Sequence, residues 1–323
     1  MNHSQTNCKP WLNPTVREFV RCALKEDIGY GDITSRSLIE PGRRICASIL
    51  SRGNYTVCGV EIVRLVSRLV DPHVVCSVLV NDGKRVKAGR PLMVLKGKAR
   101  SILAAERTAL NFLQRLTGIA TLTAQYVAAV KPHRTIILDT RKTTPNMRLL
   151  EKYAVRCAGG HNHRMGLYDM VLIKDNHRFL WLKKYSSSFA RTSRRSRMLE
   201  REMASEDSAK IPCALAQGAS IAQAVKEARR KNPEVPVEIE VESVSQFKDA
   251  LSAAPEWIML DNMTVPLMKK CAALCGRRCK LEASGGITLK NVNAIAASGV
   301  NAISIGALTH SAPAADLSLE ITH

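Results

Sequence analysis

The chain has 323 residues, 46% of them hydrophobic and only 4% aromatic, so it has room for one large and one smaller domain with cores of Val, Ile, Leu and Ala. It holds no run of about 18 apolar residues, which predicts no membrane span, and its polar start, MNHSQTNCKPW, is unlike a secretory signal, so the cytoplasm is the expected compartment. A net charge of +20 leaves two classes open, a nucleic-acid binder and an enzyme acting on small polyanions.

The first elements in chain order are a helix over 15–26, from apolar residues three and four apart, and strand-like runs at 45–51, 74–80 and 91–97. Asn81-Asp82-Gly83 reads as a turn between two of these runs. A helix rich in Ala and Leu follows over 101–116, so the first part reads as an α+β unit on antiparallel strands. After about residue 130 the pattern changes. Short apolar strands at 135–139, 169–174, 237–241, 257–261, 279–284 and 302–306 alternate with helices at 219–231, 244–254 and 288–298. That alternation predicts parallel strands with crossover helices. Six strands fit either an incomplete barrel or a doubly wound sheet.

Residues 178–216 break this rhythm. They hold seven serines and a net charge of +5, with Arg191, Arg194, Arg195, Arg197 and Arg201 clustered, and read as a solvated insertion. A basic segment for nucleic acid is the alternative, but the chain lacks the aromatic-interleaved basic stripe that stacks bases. The ten cysteines form no C-x-x-C pair. Cys271, Cys275 and Cys279, four apart, read as a small-residue helix face in preference to a metal site.

Each second-half strand runs into a chemically capable residue: Asp139-Thr140-Arg141-Lys142, Lys174-Asp175, Glu240, Asp261, Ser284-Gly285-Gly286 and Gly306. In parallel α/β folds these strand ends face the ligand. Arg141, Lys142, His163, Arg164 and Lys174 form a cationic set suited to carboxylates and phosphates. Glu240 and Asp261 supply anionic oxygen for sugar hydroxyls, Mg²⁺ or developing positive charge. Ser284-Gly285-Gly286 before a helix start, and Gly306 after the last strand, point to a phosphorylated ligand.

The segments EDIGYGDITS (26–35), ERTALNFLQRLTGIAT (106–121), LDTRKTTP (138–145), LEKYAV (150–155), HR (163–164), KDNH (174–177), EIEVES (238–243), LDNM (260–263) and EASGGI (282–287) together resemble the quinolinate phosphoribosyltransferase family. The resemblance covers nearly the whole chain apart from the first dozen residues and 178–216. It implies an N-terminal α/β sandwich domain over 11–116, onto which 310–323 returns, and an open, incomplete α/β barrel over 117–309. It implies a dimer or a multiple of dimers, with Arg107 reaching into the neighbour's site to contact quinolinate. Arg141, His163, Arg164 and Lys174 would hold the two carboxylates of quinolinate, with Thr140 also at the substrate. Lys142 would lie near the pyrophosphate of 5-phosphoribosyl-1-pyrophosphate or near the substrate, and Glu240 and Asp261 at the ribose hydroxyls, directly or through Mg²⁺. Lys142, Glu240 and Asp261 would be the catalytic residues, and Ser284, Gly285, Gly286 and Gly306 would bind the 5-phosphate. The implied activity needs no redox cofactor, membrane or nucleic acid. Asn146 follows Thr143-Thr144-Pro145 where the family usually has Gly; because Asn tolerates left-handed backbone angles, the turn is expected to survive. A phosphoribosyltransferase for another aromatic acid, and a silent scaffold or nucleic-acid binder, are the competing readings.

Overall fold

A computed structural model of the chain describes residues 9–181 and 220–322. It divides into two compact units. One comprises the chain up to Pro132 with Ile136–His163 and everything from Ser304 on; the other comprises His133–Thr135 and Arg164–Ile303.

In the first unit, helix α1 (Pro14–Ile28) starts where Asn13 accepts the Thr15 N–H and Pro14 supplies the preset φ of a first helical residue. Strands β1 (Arg44–Ser51), β3 (Val75–Val78), β5 (Pro91–Lys98) and β12 (Leu317–Thr322) form one antiparallel sheet in the order β12-β1-β5-β3. Strands β2 (Tyr55–Thr56) and β4 (Arg85–Val86) form a small ribbon. Ala47, Ile49 and Ser51 alternate inward along β1, the period expected of a sheet with one covered face. After the short helix α2 (Ile33–Leu38), helix α3 (Val60–Val70) adds an apolar face of Val60, Ile62, Val63, Leu65 and Val66.

Helix α4 runs from Ala99 to Val130, 32 residues, well beyond the expected end at 116. The extension holds Gly118 and several threonines, which read locally as breakers. Tertiary contacts explain both. A Cβ at Gly118 would stand 2.0 Å from the Pro313 carbonyl oxygen, so only Gly lets the chain pass. Thr121 and Thr123 return their hydroxyls to the carbonyls four residues back, at 2.7 and 2.8 Å. Strand β6 (Ile136–Leu138) is short, and the Ile305 N–H donates to its Leu138 carbonyl. Helix α5 (Arg148–Cys157) follows it and buries Leu150, Glu151, Lys152, Ala154 and Val155.

In the second unit, strands β7 (Val171–Ile173), β8 (Val237–Val241), β9 (Trp257–Asp261), β10 (Lys280–Ser284) and β11 (Ala302–Ser304) lie side by side in the order β11-β10-β9-β8-β7, with parallel pairing from β7 to β11. Sequential order with no point of reversal is the wall of an open barrel; a doubly wound sheet would reverse direction partway. The intervening helices include Ile221–Lys231, held at its start by a capping box of Ser220 and Gln223, and Val265–Cys275. Residues 175–181 are helical. They include the first part of the expected insertion; the rest of it, with its arginine cluster, lies outside the described residues. Cys271 and Cys275 are buried on the Val265–Cys275 helix, but it ends at Cys275, so the expected helix face does not reach Cys279; the Cys275 thiol donates to the Cys279 carbonyl at 3.3 Å across the turn that follows. No helix among the described residues is long and apolar enough to cross a membrane.

Candidate active site

The loop after β6 is fixed from beneath by buried charge. Asp139 is fully buried and accepts from the Lys152 ammonium, from the Asn162 side-chain amide and, at 2.9 Å, from the His163 N–H. The Lys152 ammonium also donates to the His163 carbonyl at 3.1 Å. Burial pushes the Asp139 carboxyl above its ordinary range, against the pull of Lys152. One ion pair, carried by α5, therefore pins both the segment bearing Arg141 and Lys142 and the segment bearing His163.

A second network holds the far side of the same loop. The buried Glu151 carboxylate accepts the Thr144 N–H at 3.1 Å, the Thr144 hydroxyl at 2.9 Å and the Arg115 guanidinium at 2.9 Å. Arg115 reaches on to the Thr309 and Ala312 carbonyls, and the Thr309 hydroxyl donates to the Lys142 carbonyl at 2.8 Å. Thr140 turns its hydroxyl back to accept the Lys142 N–H at 3.0 Å. A Cβ at Gly306 would lie 2.9 Å from Lys142 Cδ, so the expected phosphate glycine and the expected catalytic lysine are neighbours.

Arg141 is half-buried, and its Nε is a buried donor without a hydrogen-bond partner among the described residues. Such a donor is costly unless something accepts from it. Lys142 is exposed and His163 buried. Arg107 stands exposed on α4 and bonds to none of the other candidate residues of its unit.

Asn146 takes φ 63°, as the left-handed turn requires. Asn146→Gly is expected to be neutral or slightly stabilising, and Asn146→Val to lower stability by about 1–2 kcal/mol, read from urea unfolding midpoints. Equal stability of the Val variant and the wild type would contradict the turn's demand.

In the second unit the barrel wall has two chemically distinct faces. Register places Val237, Ile239, Val241, Ile258, Leu260, Leu281 and Ala283 on one face, all buried and apolar. Glu238, Glu240, Trp257, Met259, Asp261, Glu282 and Ser284 share the other. Lys174 follows β7, and its ammonium donates to Glu240 Oε2 at 2.9 Å. Arg164 is buried and donates to the Met170 carbonyl at 3.1 Å.

Sequence reasoning singled out Glu240 and missed Glu238 and Glu282, both fully buried on the same face. The period-two pattern of VEIEV and KLEAS carried that signal, since it sets all three glutamates on one side. Burial pushes Glu238 up to about 8, offset in part by a hydrogen bond with Glu282 and by the charges of Arg164 and Lys174. Glu238 is therefore largely protonated at neutral pH. Its folded pKa lies above the ordinary 4.5, so its contribution to stability is complete below about pH 4.5 and is lost as pH rises through about 8. The thermal midpoint of Glu238→Gln, which carries a neutral amide throughout, is expected to fall less between pH 6 and 9 than that of the wild type. The same slope in both proteins would refute this protonation.

Asp261 ends β9 and accepts from the Asn262 side-chain amide at 2.7 Å. Asn262 takes φ 53°, and its N–H donates to the Ser284 carbonyl at 2.9 Å. Gly285 has φ 90°, and a Cβ there would stand 2.1 Å from Asn262 Oδ1. Asp261, Asn262, Ser284 and Gly285 thus form one tight corner in which Gly is obligatory. The expected helix at 288–298 is shorter, Val292–Ala296. Asn291 delays it by accepting the Thr288 N–H and donating to the Gly286 carbonyl. A phosphate grip here would rest on the glycine turn rather than on a helix start.

Two family models match the chain: the quinolinate phosphoribosyl transferase N-terminal domain over residues 32–117, and its C-terminal domain over 119–221 and 207–320. The chain is 37% identical to a Bacillus subtilis protein named probable nicotinate-nucleotide pyrophosphorylase [carboxylating], covering 100% of this chain and 95% of that one. It is 36% identical to the Mycobacterium leprae nicotinate-nucleotide pyrophosphorylase [carboxylating], covering 95% and 97%. The solved nicotinate-nucleotide pyrophosphorylase of Francisella tularensis superposes with a TM-score of 0.80 at 35% identity, covering 95% of this chain and 96% of that one. The chain belongs to the quinolinate phosphoribosyltransferase family.

Proposed function

We propose that this chain joins quinolinate to the phosphoribosyl group of 5-phosphoribosyl-1-pyrophosphate, releasing pyrophosphate and carbon dioxide and forming nicotinate mononucleotide. The observation that carries the reading is full retention of the cationic set and both acids in a chain similar over its whole length to enzymes so named.

Arg141, His163, Arg164 and Lys174 grip the two carboxylates of quinolinate, with Thr140 beside them. The buried Nε of Arg141 is a donor of the right kind. Ser284, Gly285, Gly286 and Gly306 take the 5-phosphate through backbone N–H groups. Lys142, next to Gly306, lies toward the pyrophosphate. The pyridine nitrogen attacks the anomeric carbon as the bond to pyrophosphate breaks. Positive charge that develops on the ribose is met by Glu240 and Asp261. The ring nitrogen is then cationic and stabilises the electron pair left on the adjacent carbon as carbon dioxide departs; a proton takes its place.

Bound with the pyrophosphate substrate, Mg²⁺ would supply positive charge against the leaving group. Glu240, which pairs with Lys174, and the half-exposed Asp261 would hold the ribose hydroxyls, directly or through the ion. We further propose a dimer or a multiple of dimers. Tyr30, Ile33 and Leu38 are 104%, 78% and 80% exposed, an apolar surface suited to a second copy, and the exposed Arg107 suits a role in that copy's site. The proposed compartment is the cytoplasm, although a plant relative is named chloroplastic.

The test is release of labelled carbon dioxide from carboxyl-labelled quinolinate by purified protein. Release that requires both 5-phosphoribosyl-1-pyrophosphate and Mg²⁺ is expected; none from folded protein would remove the assignment.

A further inference from the structure

Away from the candidate residues, the first unit brings two cysteines and an aspartate together. Donor atoms of Cys58, Asp82 and Cys157 all lie within 4.8 Å of one another. Cys58 is fully buried just before α3, its N–H donating to the Thr117 hydroxyl at 3.1 Å and its carbonyl accepting from that hydroxyl. Cys157 ends α5 and is half-buried. The backbones are held together by Gly83: its N–H donates to the Val57 carbonyl at 2.8 Å, and a Cβ on it would stand 2.9 Å from the Cys157 carbonyl oxygen. Asp82 is tied by the Gly59 and Val60 N–H groups at 2.9 and 3.1 Å and by the Tyr153 hydroxyl at 2.9 Å.

We propose that Cys58 and Cys157 form a hydroperoxide-sensitive thiol pair, in which the more exposed Cys157 is oxidised first and Cys58 resolves it to a disulfide. The Cys157 sulfur attacks the peroxide oxygen, forming an S–O bond as the O–O bond breaks and water leaves. The Cys58 sulfur then attacks the Cys157 sulfur. An S–S bond forms, the S–O bond breaks, and the Cys58 proton leaves with the hydroxyl as a second water, with the Asp82 carboxylate as a base beside it. Two thiols are oxidised by two electrons and one hydrogen peroxide is reduced to two waters.

Electrostatics give the two sulfurs these roles. The Cys58 thiol, donating toward Cys157, holds the latter below the ordinary thiol range, against its burial. Burial pushes Cys58 itself well up. The pair has an internal control. Cys275 and Cys279 place their sulfurs 3.3 Å apart, but burial pushes Cys279 far above the ordinary range and Cys271 up to about 11. Proximity there comes with a Cys279 thiol held protonated by burial.

The linkage would tie α5, which carries Lys152 and leads into the His163 segment, to the start of α3. The test treats the full chain with hydrogen peroxide at pH 7, followed by thiol blocking and non-reducing peptide mapping. Expected is a Cys58–Cys157 cross-link that dithiothreitol reverses and that completes before any Cys275–Cys279 link. In Cys58→Ser, a sulfenic acid at Cys157 should become trappable by dimedone. Cross-linking at Cys275–Cys279 first, or Cys58 and Cys157 both still alkylatable once other thiols are oxidised, would overturn the proposal. These wild-type readouts hold even if the variant folds poorly.

Discussion

Lys152→Met is expected to lower stability by about 3–5 kcal/mol, because it leaves the carboxylate of Asp139 buried without its counter-charge. Both partners are almost fully enclosed, at 1% and 0% exposure, so solvent cannot take over the role of Lys152. The Asn162 amide and the His163 N–H would remain on Asp139, but neither carries charge. Since burial already raises the Asp139 pKa, the variant should take up a proton there and lose stability most at high pH. The double variant Lys152→Met/Asp139→Asn should recover a large part of the loss, since the buried charge is gone. Urea unfolding of the single and double variants decides it. A single-variant loss under about 1 kcal/mol, the scale of an exposed ion pair, would show that the pair is not buried as described.

Arg141→Ala is expected to reduce kcat/KM for quinolinate by roughly 10²–10³-fold, the scale of losing one side of a desolvated charge pair. The loop bearing Arg141 is held independently by Asp139–Lys152 and by Glu151–Arg115, so truncating Arg141 should leave the fold intact. The loss should fall mainly on KM for quinolinate, with KM for 5-phosphoribosyl-1-pyrophosphate little changed. Arg141→Lys should recover little, because an ammonium lacks the fork that meets a carboxylate at two points. Steady-state kinetics with each substrate varied in turn would show this; an equal rise in both KM values would move Arg141 out of the carboxylate grip.

Much of the second unit was legible because its strands are short, apolar and interrupted at regular intervals. VEIEV and WIMLD are strands at the residues expected, and the polar residues at their ends are the ones the fold gathers in pairs: Lys174 with Glu240, and Asp261 with the Ser284-Gly285 corner. The choice between barrel and doubly wound sheet was not legible, since it depends on strand order, which no local pattern encodes. The length of α4 was hidden for a related reason. Gly118 looks like an interruption until the Pro313 carbonyl, nearly two hundred residues away in sequence, is seen against it. Lys152 and Glu151 read as ordinary surface charges within LEKYAV, and only their burial against Asp139 and Arg115 reveals that they hold the loop bearing Arg141 and Lys142. Resemblance supplied roles; it did not supply these supports.

Pyrophosphate release with quinolinate or nicotinate as the sole acid, at equal concentrations, tests most directly the proposed choice of quinolinate as the acceptor. The proposed grip of Arg141, His163, Arg164 and Lys174 on two carboxylates predicts turnover with quinolinate and little or none with nicotinate. Turnover with nicotinate as fast as or faster than with quinolinate would contradict that match and assign the site to a monocarboxylate.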